Sequence, residues 1–265
     1  MVEILKKTKL SDNIYEIVID APNVSLNVLP GQFFMLQATE KSERVALSVS
    51  DWDRHEGRVK FVIMPVGDST NDIVKKNVGE KYYHACGPLG NPSDLVYMSD
   101  DELKKEKIVF LAGGVGAAPV YPQARYLNEK GIRPTVILAA RNKDLLLYEE
   151  KLGEVAEVIV ATDDGSKGFN GLVTDCLEDL VKKGRSFTRA IAIGPMIMMK
   201  FAVLKTKALG IKSIVSLNPI MLDGTGMCGC CRCSVGGETK YACVDGPEFL
   251  GEEVDFDEAL RRLKR

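Results

Sequence analysis

The chain of 265 residues holds only two histidines and one tryptophan, and its aromatic residues make up 7% of the total. With His55 and His84 as its only imidazoles, it has little from which to build a histidine metal site or a serine, histidine and aspartate triad. Charge of one sign is not concentrated anywhere: 35 lysines and arginines against 37 acidic residues leave a formal net charge of -2. That balance excludes the basic face of a nucleic-acid binder and a polybasic membrane patch. Long apolar runs are missing too. The longest uncharged stretch, around Ile108 to Gln123, contains Gly113, Gly114, Gly116 and two prolines, and is too short to span a bilayer. The opening MVEILKKTKL lacks the apolar core and small-residue cleavage site of a signal peptide, so the chain is expected to stay in the cytoplasm.

Cysteine, by contrast, is concentrated. Of seven cysteines, five (Cys228, Cys230, Cys231, Cys233 and Cys243) lie in the segment MLDGTGMCGCCRCSVGGETKYACVDGPEF, whose glycines permit the tight turns needed to wrap thiolates around a small inorganic core. The crowding implies thiols kept reduced rather than a secreted disulfide framework. Asp223, Cys228, Cys231 and Cys243 follow the plant-type spacing for a two-iron cluster, with aspartate in first place. An alternative frame through Cys230 and Cys233 puts Thr225 first, where no good iron ligand is available. A structural zinc site is the bland rival, but zinc normally takes a second close pair or histidines. Cys86 and Cys176 are expected to be small buried hydrophobes.

The rest of the chain has two rhythms. Up to about residue 100, short strand-like runs (EILKKTKL, IYEIVID, GQFFMLQAT, RVALSVS, RVKFVIMPV) separated by turn residues predict a small antiparallel β-barrel. One helix is expected within it, Thr70 to Lys76, capped by Ser69 or Asp68. From 101 to 217, strands alternate with helices, among them one at Asp144 to Leu152, which predicts a doubly wound parallel sheet. Residues 218–265 leave that rhythm, carry the cysteines and end in a helix-like FDEALRRLKR.

Three loops of the α/β part fall at the carboxyl ends of strands, where open sheets bind ligands. LAGGVGAAP sets Gly113, Gly114 and Gly116 between a strand and a helix, as a pyrophosphate site requires, although Pro119 stands where the dinucleotide fingerprint has its third glycine. Thr162 and Asp163 in ATDDGSKG could meet a nicotinamide or ribose, and Gly194 and Pro195 in AIGPMIMM would let a flat ring approach the backbone. Met196, Met198 and Met199 read as helix core. In the barrel, Arg44 offers a fork of donors and Ser48 a hydroxyl, while Gly67, Ser69 and Thr70 at a helix start could hold phosphates. Singly, each has an ordinary reading as a solvated charge, a turn or a cap.

In this order and together, these segments resemble the ferredoxin-NADP reductase superfamily, in the branch that ends in a two-iron cluster. That branch includes electron-transfer subunits of dihydroorotate dehydrogenases and small subunits of NADH-dependent, electron-bifurcating ferredoxin:NADP oxidoreductases. The resemblance implies an FAD site on the barrel, with Arg44 near the pyrophosphate, Ser48 and its neighbours Leu47 and Val49 near the isoalloxazine, and Gly67, Ser69 and Thr70 near the phosphates. It implies NAD(H) on the parallel sheet and a [2Fe-2S] cluster on Asp223, Cys228, Cys231 and Cys243. Asp223 in first place, DGTGMCG and CVDGPEF look closer to the bifurcating group. A larger partner subunit with its own flavin and [4Fe-4S] centres is then implied, which would connect the chain to ferredoxin and NADP(H). Electron-transfer subunits of dihydroorotate or sulfide dehydrogenase type, and a zinc-stapled nucleotide-binding module, are the alternatives.

Overall fold

A computed structural model describes residues 1–263. The N-terminal part is built from two antiparallel sheets. The larger runs in the order Asp51–Asp53, Arg58–Ile63, Ile14–Asp20, Val2–Ser11, Lys81–Tyr82, and the smaller in the order Arg44–Ser48, Phe33–Gln37, His84–Leu89. Alternation explains how they close on each other: Val59, Phe61 and Ile63 point inward from one strand, and Phe34 and Leu36 from another, while Phe33 and Met35 turn the other way into a second buried cluster. Phe34 and Phe61 meet edge to face at 5.3 Å in the centre.

The helix in this part runs Asp68–Lys75 and not from Thr70, and neither Ser69 nor Asp68 caps it. Gly67 occupies the N-cap, and Thr70 closes the turn by accepting the amides of Val66 and Gly67 at 3.0 and 3.1 Å. A short helix at Pro22–Asn27 was not legible in the sequence; Pro22 stands at its first turn, where a missing amide costs nothing.

The α/β part is a seven-stranded sheet in the order Phe169–Asn170, Glu157–Thr162, Thr135–Ala140, Ile108–Gly113, Arg189–Ile193, Lys212–Ser216, Glu248–Leu250. All pairs are parallel except the last. Ile108–Gly113 and Thr135–Ala140 are buried along their whole length, as central strands with helices on both faces must be. Ala117–Glu129 and Glu149–Val155 cover one face, Val173–Lys182 and Met196–Ala208 the other. The chain order reverses between Ile108–Gly113 and Arg189–Ile193, which places a ligand crevice at their carboxyl ends.

The helix expected over Asp144 to Leu152 starts only at Glu149, because Tyr148 is left-handed at φ 60 and sends its hydroxyl across to Glu16 of the barrel. That contact belongs to a polar hub. Asp51, whose side chain is 8% exposed, accepts from Lys60 at 3.1 Å, from Lys151 at 2.9 Å and from Arg125. The Arg125 guanidinium also lies 4.6 Å from the centre of the Trp52 ring. Burial pushes the Asp51 carboxyl up, but Lys151, Arg125 and Lys60 outweigh it and hold it below the ordinary 3.8.

Among the described residues, no helix is long and apolar enough to cross a membrane. The C-terminal segment forms a hairpin, Arg232–Val235 with Glu238–Tyr241, around Gly236 and Gly237, both at positive φ. It then adds Glu248–Leu250 to the edge of the large sheet and ends in the helix Phe256–Leu263.

Replacing Asp51 with asparagine leaves Lys151 and Arg125 with one fewer buried counter-charge, and should lower the unfolding free energy by about 3 kcal/mol in denaturant titration. A depressed carboxylate stabilises the fold above its unfolded value and loses that contribution as pH falls through its folded value. The wild-type protein should therefore lose stability below about pH 4, and the variant should show a shallower acid limb.

Candidate functional site

The cysteine loop is shaped by Asp223. Its Oδ1 accepts the Thr225 amide at 2.7 Å and its Oδ2 the Cys228 amide at 2.6 Å. These bonds, the Thr225 amide first, hold its carboxyl below the usual range. Gly224, Gly226 and Gly229 all adopt positive φ, so the chain coils back on itself between Asp223 and Cys230. Cys231 and Cys243 are buried with their sulfurs 3.2 Å apart. Burial, then the Cys231 sulfur, push the Cys243 thiol up to about 12, a penalty that a bound cation removes.

The loop residues therefore fall into two contact pairs: Asp223 with the backbone amide of Cys228, partly exposed, and the sulfurs of Cys231 and Cys243, buried. Among the described residues no three His, Cys, Asp or Glu side chains converge on one point. A carboxylate and three thiolates suit iron or zinc alike, and it is the plant-type spacing of the four that favours iron. Cys233 belongs to neither pair. It is 4% exposed and turns into the core, its sulfur 3.7 Å from the Lys240 carbonyl. Cys176 is buried as expected, whereas Cys86 is exposed.

The loop presses directly on the barrel. A Cβ on Gly224 would stand 2.8 Å from both Met35 Cγ and Leu89 Cδ1, so only glycine allows the loop to lie this close to the small sheet. Asn91 ties the same junction, its amide donating to the Gly246 carbonyl at 2.7 Å and its Nδ2 to the Val244 carbonyl at 3.1 Å. Ser48 lies in the cross-strand row of Phe33 and Leu89, and Arg44 in the row of Gln37. Arg44 and Ser48 share one face, about 13 Å apart along the strand, and both side chains are exposed. Leu47 and Val49 turn into the barrel core and can offer only backbone atoms to a ligand. At the Arg44 end, the Ser42 hydroxyl donates to Asp72 of the helix Asp68–Lys75 at 3.1 Å. The first-turn amides of that helix at Asp68, Ser69 and Thr70 have no helical carbonyl before them.

At the sheet's switch point the glycines divide by task. A Cβ on Gly116 would lie 2.2 Å from the Ile193 carbonyl oxygen, one on Gly113 would lie 2.3 Å from Met198 Sδ, and one on Gly194 would lie 3.1 Å from Gly113 Cα. These three seat two loops against each other. Gly114, at φ +55 with nothing within 4 Å, is the one that faces open space. Thr162 is fully buried and spent on its own loop, donating to the Lys167 carbonyl at 2.8 Å and accepting its amide at 3.0 Å. Asp163 and Pro195 are exposed at the rim. The Asp51 hub and the contact of Gly224 with Met35 and Leu89 were not found from sequence; DGTG marked a tight turn but not the surface it packs on.

An antiparallel barrel, a doubly wound sheet with a crevice at its switch point and a paired thiol and carboxylate loop together define an electron-transfer reductase subunit of the ferredoxin-NADP reductase type. Residues 218–255 match the iron-sulfur cluster binding domain of dihydroorotate dehydrogenase B. The chain is 44% identical over 261 residues to a dihydroorotate dehydrogenase B (NAD(+)) electron transfer subunit homolog of Thermotoga maritima, covering 98% of this chain and 90% of that one. It is 51% identical over 264 residues to an uncharacterized protein in the adh 3' region of Clostridium beijerinckii, covering 99% and 89%. A solved structure of the NADH-dependent reduced ferredoxin-NADP oxidoreductase superposes with a TM-score of 0.90 at 42% identity, covering 99% of this chain and 92% of that chain. The chain belongs to the family of dihydroorotate dehydrogenase B electron transfer subunits and their homologues.

Gly116→Ala should cost about 3 kcal/mol of stability in denaturant titration, since backbone and not a movable side chain opposes the new methyl. Gly114→Ala should cost about 1 kcal/mol, the strain of a left-handed alanine alone.

Proposed function

We propose that this chain carries electrons between NAD(H) and a larger partner subunit by way of FAD and a [2Fe-2S] cluster, as the NADH-side subunit of an electron-bifurcating ferredoxin:NADP oxidoreductase. The observation that carries the reading is the junction at Gly224, where the thiol loop lies on Met35 and Leu89 beside the Ser48 row. When bound, the three groups supply hydride exchange between nicotinamide and flavin and single-electron transfer between flavin and iron.

The chain's own residues hold and orient. Arg44 and the first turn at Gly67, Ser69 and Thr70 meet the anionic part of FAD at one end of the strand. Ser48, with the Leu47 and Val49 backbone, meets the ring at the other end, the end that faces the cysteine loop. Gly113, Gly114 and Gly116 form the floor of the nicotinamide nucleotide site, with Gly114 its open point, Gly194 and Pro195 one wall, and Asp163 the opposite rim, on a loop that buried Thr162 closes. Asp223, Cys228, Cys231 and Cys243 would hold the cluster. In this arrangement residues 1–100 form the flavin domain, 101–217 the nicotinamide domain and 218–265 the cluster segment.

The partner we propose is a subunit with its own flavin and [4Fe-4S] centres, through which ferredoxin and NADP(H) are reached. It would dock over exposed Met227 and Val244, which adjoin Cys228 and Cys243 in the chain. The similarity of residues 218–255 to dihydroorotate dehydrogenase B favours, as a second reading, a dihydroorotate-oxidising partner. Co-purification from the native cell separates the two by the large subunit that travels with the chain.

Anaerobically purified protein should contain FAD together with iron and acid-labile sulfide in equal amounts. Zinc without labile sulfide, and no FAD, overturns the reading. Arg44→Ala should weaken FAD binding about tenfold or more, measured by fluorescence titration of the flavin-free protein, through loss of a charged hydrogen bond to phosphate.

A further inference from the structure

One backbone group of the cysteine loop is buried and unanswered. Cys231 is 1% exposed and stands just before the strand Arg232–Val235, and among the described residues its amide has no hydrogen-bond acceptor. A buried N–H without an acceptor is costly, and folded proteins supply one.

The peptide that carries this N–H is held from its other side. Arg262, in the last turn of the helix Phe256–Leu263, donates through Nη2 to the Cys230 carbonyl at 3.1 Å, and Arg232 donates through Nη1 to the preceding Gly229 carbonyl at 3.1 Å. In a trans peptide the C=O and N–H point opposite ways, so a guanidinium on the Cys230 carbonyl turns the Cys231 N–H away from Arg262. The helix that brings Arg262 is itself seated on the cysteine segment. The Asp255 amide donates to the Ser234 carbonyl at 2.9 Å and the Gly236 amide to the Glu253 carbonyl at 2.8 Å, while Phe256 and Ala259 are buried in the same apolar cluster as Cys231 and Cys243.

We infer that Arg262 is a positioning residue for the iron-sulfur site: by fixing the Cys230–Cys231 peptide from outside, it aims the Cys231 N–H at a sulfur of the bound cluster. This rests on the reading of the loop as a [2Fe-2S] site. An N–H···S bond favours the more negative, reduced cluster over the oxidised one and so raises its potential. The guanidinium charge acts in the same direction. Arg261 separates the two contributions, because it lies exposed on the same turn and, among the described residues, makes no hydrogen bond to the loop.

The test compares full-length wild type, Arg262→Ala, Arg262→Lys and Arg261→Ala, each reconstituted anaerobically with iron and sulfide. Iron and sulfide content and a redox titration followed by electron paramagnetic resonance are the readouts. A wild type that takes up no iron and sulfide removes the cluster reading, and this role with it. With the cluster in place, Arg262→Ala should shift the ratio of oxidised to reduced cluster at a fixed potential by roughly tenfold toward oxidised, the worth of one hydrogen bond to a charged group, or about 59 mV for a one-electron couple. Arg262→Lys keeps a charged donor and should restore most of that shift, and Arg261→Ala should stay close to wild type. A wild-type potential in Arg262→Ala, or an equal shift in Arg261→Ala, overturns the proposal and leaves the cluster reading intact. If Arg262→Ala holds no iron, Arg262→Lys decides: a cluster near the wild-type potential upholds the positioning role, and loss of iron there too overturns it.

Discussion

One continuous apolar body fixes the geometry of the whole molecule. Phe33 and Met35 of the barrel, Val109 and Leu111 of the central strand, Met199 and Val203 of a covering helix, and Cys231 and Cys243 of the metal loop belong to the same buried cluster. Interiors packed to this density do not deform gradually. Barrel, switch-point crevice and cysteine loop therefore share one interior, which suits chemistry that consists of passing electrons between fixed stations. The Asp51 hub adds a second attachment on the opposite side of the sheet, between the barrel and the helices Ala117–Glu129 and Glu149–Val155.

The architecture was largely legible in the sequence because its signals are local. Period-two alternation in RVKFVI marks a barrel strand, and an unbroken apolar IVFLAG marks a central parallel one. What escaped depended on partners far along the chain. Tyr148 is drawn out of a helical run by Glu16, 132 residues away, and no propensity encodes that. One helix start shifted for a local reason: Thr70 reads as an ordinary helical residue until its hydroxyl is seen closing the turn at Gly67, three residues before it.

The candidate site was legible by residue type more than by task. Gly113, Gly114 and Gly116 look equivalent in LAGGVGAAP, yet two serve the contact between loops and only Gly114 is open. Thr162 looks like a ligand contact and is committed to Lys167. Cys86, placed inside by its composition class, lies outside. In each case a residue's chemistry was plain and its direction was not, since direction is set by which surface arrives opposite it.

The edge strand Glu248–Leu250 covers what would otherwise be an open edge of the large sheet. It comes from the segment that carries the thiols, and it occupies the hydrogen-bonding edge of Lys212–Ser216. Were that segment to peel away, a row of unpaired amides and carbonyls on an apolar strand would face solvent, a template for pairing with other copies.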